Sequence, residues 1–145
     1  MFNELNEINL DTYEPRLKRV FFPEQELIKR PAQLLQKHGF LPKEPGPVDI
    51  ERFAEEICDF SYSTTLPEDL DGVTRFSLIG LPAVAVADRL TQDCAARPYL
   101  HFTIAHECGH VAFHNECFRL AYQEAQKNQQ PYLLADSFAC RNISH

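Results

Sequence analysis

Residues 100–114 have the sequence LHFTIAHECGHVAFH, and this stretch decides the fold. Its apolar residues recur at helical spacing and predict one strong helix over Leu100–His114. Within it, residues 106–110 match the pattern H-E-x-x-H. Side chains four residues apart on a helix lie on the same face, so the imidazoles of His106 and His110 can converge on one ion. The stretch therefore predicts a helix that carries two metal ligands.

The acid between the two histidines completes the chemistry of the motif. Glu107 projects from the neighbouring helix face, where its carboxylate can reach a water on the metal rather than the metal itself. A zinc ion on His106 and His110 lowers the pKa of that water, and Glu107 is the expected general base. The other interpretation is an amphipathic helix with two surface histidines. The apolar flanks favour the metal site because they place the histidines at the edge of the core.

Gly109 and His114 lie in the same helix and carry further expectations. Glycine costs about 1 kcal/mol relative to alanine inside a helix, so Gly109 needs a reason. We expect a strand or a substrate backbone to approach it closely on the metal face. His114 lies about 12 Å along the helix from His106, too far to share one ion, so we expect a structural role or the support of a ligand. Phe113 and Glu116 exclude the longer pattern H-E-x-x-H-x-x-G-x-x-H.

Composition excludes several classes of protein. The 145 residues suffice for one domain, and the net charge of −7 disfavours direct nucleic-acid binding. There is no membrane-spanning apolar run and no secretory signal, so we expect a cytoplasmic protein. The five cysteines are odd in number and form no C-x-x-C, which predicts reduced thiols that are mostly small buried hydrophobes. They are Cys58, Cys94, Cys108, Cys117 and Cys140.

The chain divides at its last cluster of prolines. Residues 1–47 hold six of the ten prolines and predict a proline-rich segment with one short helix near Pro31–His38. Residues 41–47 form a linker, and residues 48–145 form the second part of what we expect to be one compact unit.

The second part predicts an α+β fold. A helix begins after the N-cap Asp49, and Ile50, Phe53, Ala54 and Ile57 line one face of it. Residues 59–64, 73–79 and 83–87 predict strands, and 118–127 and 131–140 predict further helices. The expected architecture is a small three-stranded sheet packed with helices, with the H-E-x-x-H motif on a central helix.

Several of these segments match one known pattern. They are Val48-Asp49-Ile50, Asp71-Gly72, the core F-T-x-A-H-E-x-G-H at 102–110 and A-D-x-F-A at 135–139. Over about 90 residues the chain resembles the ImmA/IrrE-type metallopeptidases. The resemblance implies a minimal zincin-like domain, related to thermolysin-like enzymes, that binds Zn²⁺. It also implies an endopeptidase that acts on a protein partner, a helix-turn-helix transcriptional repressor, and so regulates genes.

The third metal ligand is the point of departure from the family. The resemblance implies a Glu three residues before Ala135, where this chain has Tyr132. Asp136 is the preferred replacement, and the Tyr132 phenolate, or Glu116 or Glu124 reaching back, are the alternatives. A degraded site is the remaining possibility.

Two other functions stay open. One is a non-catalytic regulatory or docking module with a degraded or structural metal site. The other is a non-peptidase zinc hydrolase, because the same activated water can cleave other bonds.

Overall fold

The described part of the chain is an α+β domain with one four-stranded sheet. The structure is a computed structural model that describes residues 13–14, 19–20, 24–131 and 136–141. The elements in chain order are β1 (Tyr13–Glu14), β2 (Arg19–Val20), α1 (Glu24–Lys37), α2 (Ile50–Ile57), β3 (Asp59–Ser63), β4 (Leu70–Arg75), β5 (Ala83–Ala87), α3 (Arg97–Lys127) and β6 (Ser137–Arg141). Two 3₁₀ turns, Asp88–Thr91 and Cys94–Ala96, connect β5 to α3.

The sheet has the strand order β3-β5-β4-β6. β3 pairs with β5 in parallel, and β4 is antiparallel to both β5 and β6. β1 and β2 form a separate antiparallel pair. The register places Gly72 of β4 between Val86 of β5 and Cys140 of β6. This register brings the end of the described chain alongside the strand that faces the H-E-x-x-H helix.

The fourth strand corrects two predictions. A three-stranded sheet was expected, and a helix was expected over 131–140, but residues 137–141 form β6. Pairing with β4 and the packing of Phe138 against Phe76 favour the strand over the predicted helix. The β4 strand also begins and ends earlier than the predicted 73–79.

The helices confirm the predicted positions and correct their lengths. α2 begins where predicted, with the Asp49 side chain accepting a hydrogen bond from the backbone N–H of Arg52 at 3.4 Å. α1 begins at Glu24 rather than near Pro31, which lies inside the helix. α3 is one helix of 31 residues where two were predicted. It continues because no glycine or proline interrupts it there, and buried Asn115 accepts a hydrogen bond from the Ser77 N–H at 3.1 Å.

The core lies between one face of the sheet and the helices α2 and α3. It contains Phe53 and Ile57 of α2, Val84 and Val86 of β5, and Ile104 of α3. Ile104 faces this core, whereas Glu107 and His110 of the same helix contact β4 and β6. The motif therefore lies at the border of the sheet. Within the described ranges, every helix is too short or too polar to cross a bilayer.

Candidate metal centre

His106 and His110 lie on one face of α3, as predicted. Their Nε2 atoms are 3.2 Å apart, and the ring centroids are 4.8 Å apart. Two nitrogens that share a tetrahedral zinc ion at 2.0–2.1 Å lie about 3.3 Å from each other. The same separation lets one ring donate a hydrogen bond to the other when no ion is bound. The pair therefore already has the spacing that a shared ion requires.

His114 contacts the other nitrogen of His110. The two Nδ1 atoms are 3.2 Å apart, so one ring donates to the other there. If the Nε2 atom of His110 binds a metal, its Nδ1 carries the proton and donates it to Nδ1 of His114. Burial lowers the pKa of both His110 and His114 to about 4, and both rings are therefore neutral at pH 7. His114 can thus fix the tautomer and orientation of His110 without binding the ion itself.

Phe138 of β6 packs on the same histidines. Its ring lies 4.7 Å from that of His110 at 32° and 5.3 Å from that of His114 at 70°. Phe76 packs edge-on against Phe138 at 5.5 Å. These contacts hold β6 across the histidine face of α3 and restrict how far the His110 ring can rotate.

Glu107 is fully buried against β4. The hydroxyl of Thr74 donates a hydrogen bond to its Oε2, whereas Oε1 has no partner among the described residues. Burial raises the pKa of Glu107 to about 7, although the bond from Thr74 lowers it. A Cβ at Gly72 would lie 3.0 Å from Oε1, so the missing side chain of Gly72 lets the carboxylate lie against the strand. The sequence predicted Glu107 on the helix face next to the histidines, within reach of a water on the metal, and did not predict its burial against β4.

Asp71 precedes this glycine and has a structural environment. Its buried carboxylate accepts hydrogen bonds from Arg89 Nη2 at 2.8 Å and from the Tyr99 hydroxyl. It therefore ties β4 to the turn after β5 and to the first turn of α3. The Asp71-Gly72 pair thus anchors β4, the strand against which the Glu107 side chain packs.

His106, Glu107 and Cys140 form a group that could hold a metal ion. One ligand atom from each of the three lies within 4.8 Å of the others. Burial, followed by the charges of Glu107 and Asp71, raises the pKa of the Cys140 thiol. Sequence reasoning missed Cys140 because it assigned this segment to a helix. As a strand, the segment places Phe138 and Cys140 on the same face, and that alternation was the signal available in the sequence.

The other cysteines follow the prediction more closely. Cys58, Cys108 and Cys117 are buried, Cys94 is exposed, and all five cysteines are free thiols.

Of the predicted third ligands, Asp136, Glu116 and Glu124 do not join this group. Asp136 is exposed just before β6, and its carbonyl accepts a hydrogen bond from the Phe76 N–H at 2.8 Å. Tyr132 lies outside the described residues. Glu116 pairs with Arg119 at 3.4 Å and lies about 15 Å along the continuous helix from His106, and Glu124 is further still.

The expectation that a strand approaches Gly109 closely is wrong, and the approach of a substrate backbone stays a prediction. A Cβ built there meets no atom within 4 Å, and the residue opens into an apolar cavity of about 520 Å³ beside Phe53 and Phe102. This cavity lies between α3 and the helices α1 and α2. Gly109 therefore points away from β6 and from the histidine face.

Comparisons with protein-family models, with curated proteins and with solved structures give no match to this chain.

Proposed function

We propose that this chain is a zinc-dependent endopeptidase of the ImmA/IrrE type that cleaves a protein partner, a helix-turn-helix transcriptional repressor. The observation that carries the proposal is the 3.2 Å separation of the His106 and His110 Nε2 atoms beside the buried Glu107 carboxylate. A bare amphipathic helix has no reason to bury an acid next to two histidines. Burying such an acid with no partner for Oε1 among the described residues costs free energy, so fold stability alone gives no reason to keep it.

The side chains at the site fit a zinc ion. The His110 imidazole is neutral at pH 7, as ligation requires, and the ligand atoms at the site are nitrogen, oxygen and sulfur of the kinds that zinc binds. His106 and His110 would hold the ion, and His114 would hold the Nδ1 proton of His110. When bound, zinc supplies a Lewis acid and lowers the pKa of water.

Glu107 has the properties of a general acid–base group. Its pKa of about 7 is close to the pH of a cell, which is where one carboxylate can both accept and return a proton efficiently. Thr74 holds Oε2 and Oε1 has no partner among the described residues, so Oε1 would be the atom that accepts a proton from water.

A cavity beside His106 offers room for substrate. It measures about 510 Å³ and is lined by Tyr99, Phe102, Thr103, His106 and Cys140, among others. Its size is that of ordinary ligand sites, and Phe102 supplies an exposed apolar surface. A peptide in this cavity would lie directly beside His106.

Cleavage of a repressor tests the proposal. The chain is co-expressed with each helix-turn-helix protein encoded beside its gene, and fragments are identified by mass spectrometry. We expect Glu107→Gln to retain zinc and lose cleavage by orders of magnitude, because the amide cannot accept the proton. The matched control is Glu55→Gln, the same change at an exposed position of α2, which should cleave as the wild type does.

The second candidate is a non-catalytic regulatory or docking module. The full burial of Glu107 favours it, because a carboxylate shielded from solvent can serve structure alone. For such a module, wild type and Glu107→Gln would bind the repressor equally and neither would cleave it. Loss of zinc in Glu107→Gln would instead mean that Glu107 is a ligand.

A further inference from the structure

We propose that Cys140 is a ligand of the metal, so that His106, His110 and Cys140 form a two-nitrogen, one-sulfur set in place of the expected carboxylate. This inference rests on the proposed metal site and not on peptidase activity. It starts from the observation that a ligand atom of Cys140 lies within 4.8 Å of those of His106 and Glu107.

The geometry of β6 against α3 supports the assignment. Phe138 packs on His110, and Cys140 lies two residues further along the same face of the strand. Two strand residues advance about 6.6 Å, and the four helical residues from His110 back to His106 advance about 6 Å. The two steps match, so the contact of Phe138 with His110 brings Cys140 to His106.

The pairing of β6 with β4 fixes the thiol in this place. Cys140 is in register with Gly72, where the absent side chain makes room for the Glu107 carboxylate. Four further pairs hold the same two strands together, Leu70 with Arg141 being the outermost. The backbone pairing of β6 with β4 therefore places Cys140 beside Glu107.

Chemistry favours sulfur over the competing oxygens. Thiolate is among the strongest protein ligands of zinc, with a Zn–S distance of about 2.3 Å. A nitrogen and a sulfur that share a tetrahedral ion lie about 3.6 Å apart. The ligand atoms of His106 and Cys140 lie within 4.8 Å of each other, so these two need to approach by at most about 1 Å. Glu107 already gives Oε2 to Thr74, and the Asp136 side chain is exposed before the strand begins. Cys140 thus leaves Glu107 available as a base.

Cobalt is a direct probe of a sulfur ligand. Co²⁺ takes zinc-like tetrahedral coordination, and a thiolate bound to it gives an intense charge-transfer band in the near ultraviolet. The reduced, metal-free full chain is titrated with Co²⁺, and absorbance is followed. We expect the band in the wild type and in the control Cys94→Ser, whose thiol is exposed elsewhere. We expect no band in Cys140→Ser, which keeps the two histidines.

Zinc affinity gives the second readout, independent of spectra. Loss of a group that only supports a ligand weakens metal binding by about 10–100-fold. Loss of a ligand itself should weaken zinc binding by more than that. Competition against a chromophoric chelator measures this for Cys140→Ser and Cys140→Ala, and urea unfolding of the metal-free variants reports that they fold. A fall of more than about 100-fold in both folded variants, with Cys94→Ser unchanged, supports the inference.

The contrary results separate the two proposals. If Co²⁺ binds through His106 and His110 without a charge-transfer band, and Cys140→Ser keeps wild-type zinc affinity, the thiol is not a ligand while the proposed site stands. If the wild type binds neither zinc nor cobalt, both the inference and the proposed function are overturned. The same follows if the His106→Ala variant binds the two metals with wild-type affinity.

Discussion

Glu107 is the residue at which burial most affects the chemistry. Because its pKa is raised from 4.5 to about 7, the folded metal-free protein holds this proton more tightly than the unfolded chain does. The unfolded state loses the proton first as pH rises. This group therefore lowers the free energy of unfolding as pH increases from about 4.5 to about 7, by up to about 3 kcal/mol.

The first prediction uses Glu107→Gln to isolate the contribution of Glu107 to the pH dependence of the free energy of unfolding. Urea unfolding of both proteins with a chelator present is measured from pH 4.5 to 7.5. His110 and His114, whose pKa values are lowered to about 4, act in the opposite direction by favouring folding as pH rises to about 6.5. They are present in both proteins and cancel in the difference. We expect the stability of the variant relative to wild type to increase across the range, and a constant difference would contradict the raised pKa.

The second prediction concerns Gly109. Alanine there meets no atom within 4 Å and removes the cost of glycine in a helix, so Gly109→Ala should stabilise the fold by up to about 1 kcal/mol. Gly39→Ala is the matched contrast. That residue also has open space around it, but its φ of +78° is one that alanine adopts with strain, so this variant should be less stable. Urea unfolding measures the stability of both variants. A Gly109→Ala variant less stable than wild type would contradict the open space around this residue.

At the level of the elements, the contact between β4 and α3 depends on the small size of Gly72. A third prediction follows, because a Cβ at this position would lie 3.0 Å from Oε1 and 3.1 Å from Cγ of Glu107. Gly72→Ala should cost about 1–3 kcal/mol, the usual cost of overpacking. In a Glu107→Ala background, where those atoms are gone, the same change should cost much less. A double-mutant cycle by urea unfolding gives the coupling, and simple additivity would contradict the contact.

The elements that sequence predicted well have local causes. α2 has a capping residue at Asp49 and an apolar face built from its own spacing, and β5 is a short apolar run between turns. The strand β6 could not be predicted in this way. Its five residues carry only a short alternation, and they form a strand because β4, more than 60 residues earlier, supplies their hydrogen-bond partners.

The same division between local and distant causes applies to the candidate site. His106 and His110 follow from a four-residue spacing within one helix, so sequence alone was sufficient to pair them. The burial of Glu107 depends on Thr74, 33 residues away, and the position of Cys140 depends on the pairing of β6. Neither contact can be predicted from the spacing of residues within the motif itself.

For the whole molecule, the candidate site joins two parts that are distant in sequence. His106 and His110 belong to α3, which packs on the core, whereas Cys140 belongs to the edge strand β6. An edge strand has one neighbour and opens locally more easily than a central strand. A metal held by residues of both elements would therefore oppose local opening of β6. It would also stabilise the whole fold, as any ligand of the native state does.

The last prediction measures both effects by hydrogen exchange. Zinc at 100 times its Kd should raise the free energy of unfolding by about 2.7 kcal/mol, which slows exchange wherever global unfolding controls it. Amides of Ser137–Arg141 should slow by more than those of Asp59–Ser63, the strand at the opposite edge, because the metal also blocks local opening of β6. His106→Ala should remove both effects, whereas Cys140→Ser should remove mainly the excess at β6. Equal protection of the two edges in wild type would mean that the ion is held by α3 alone.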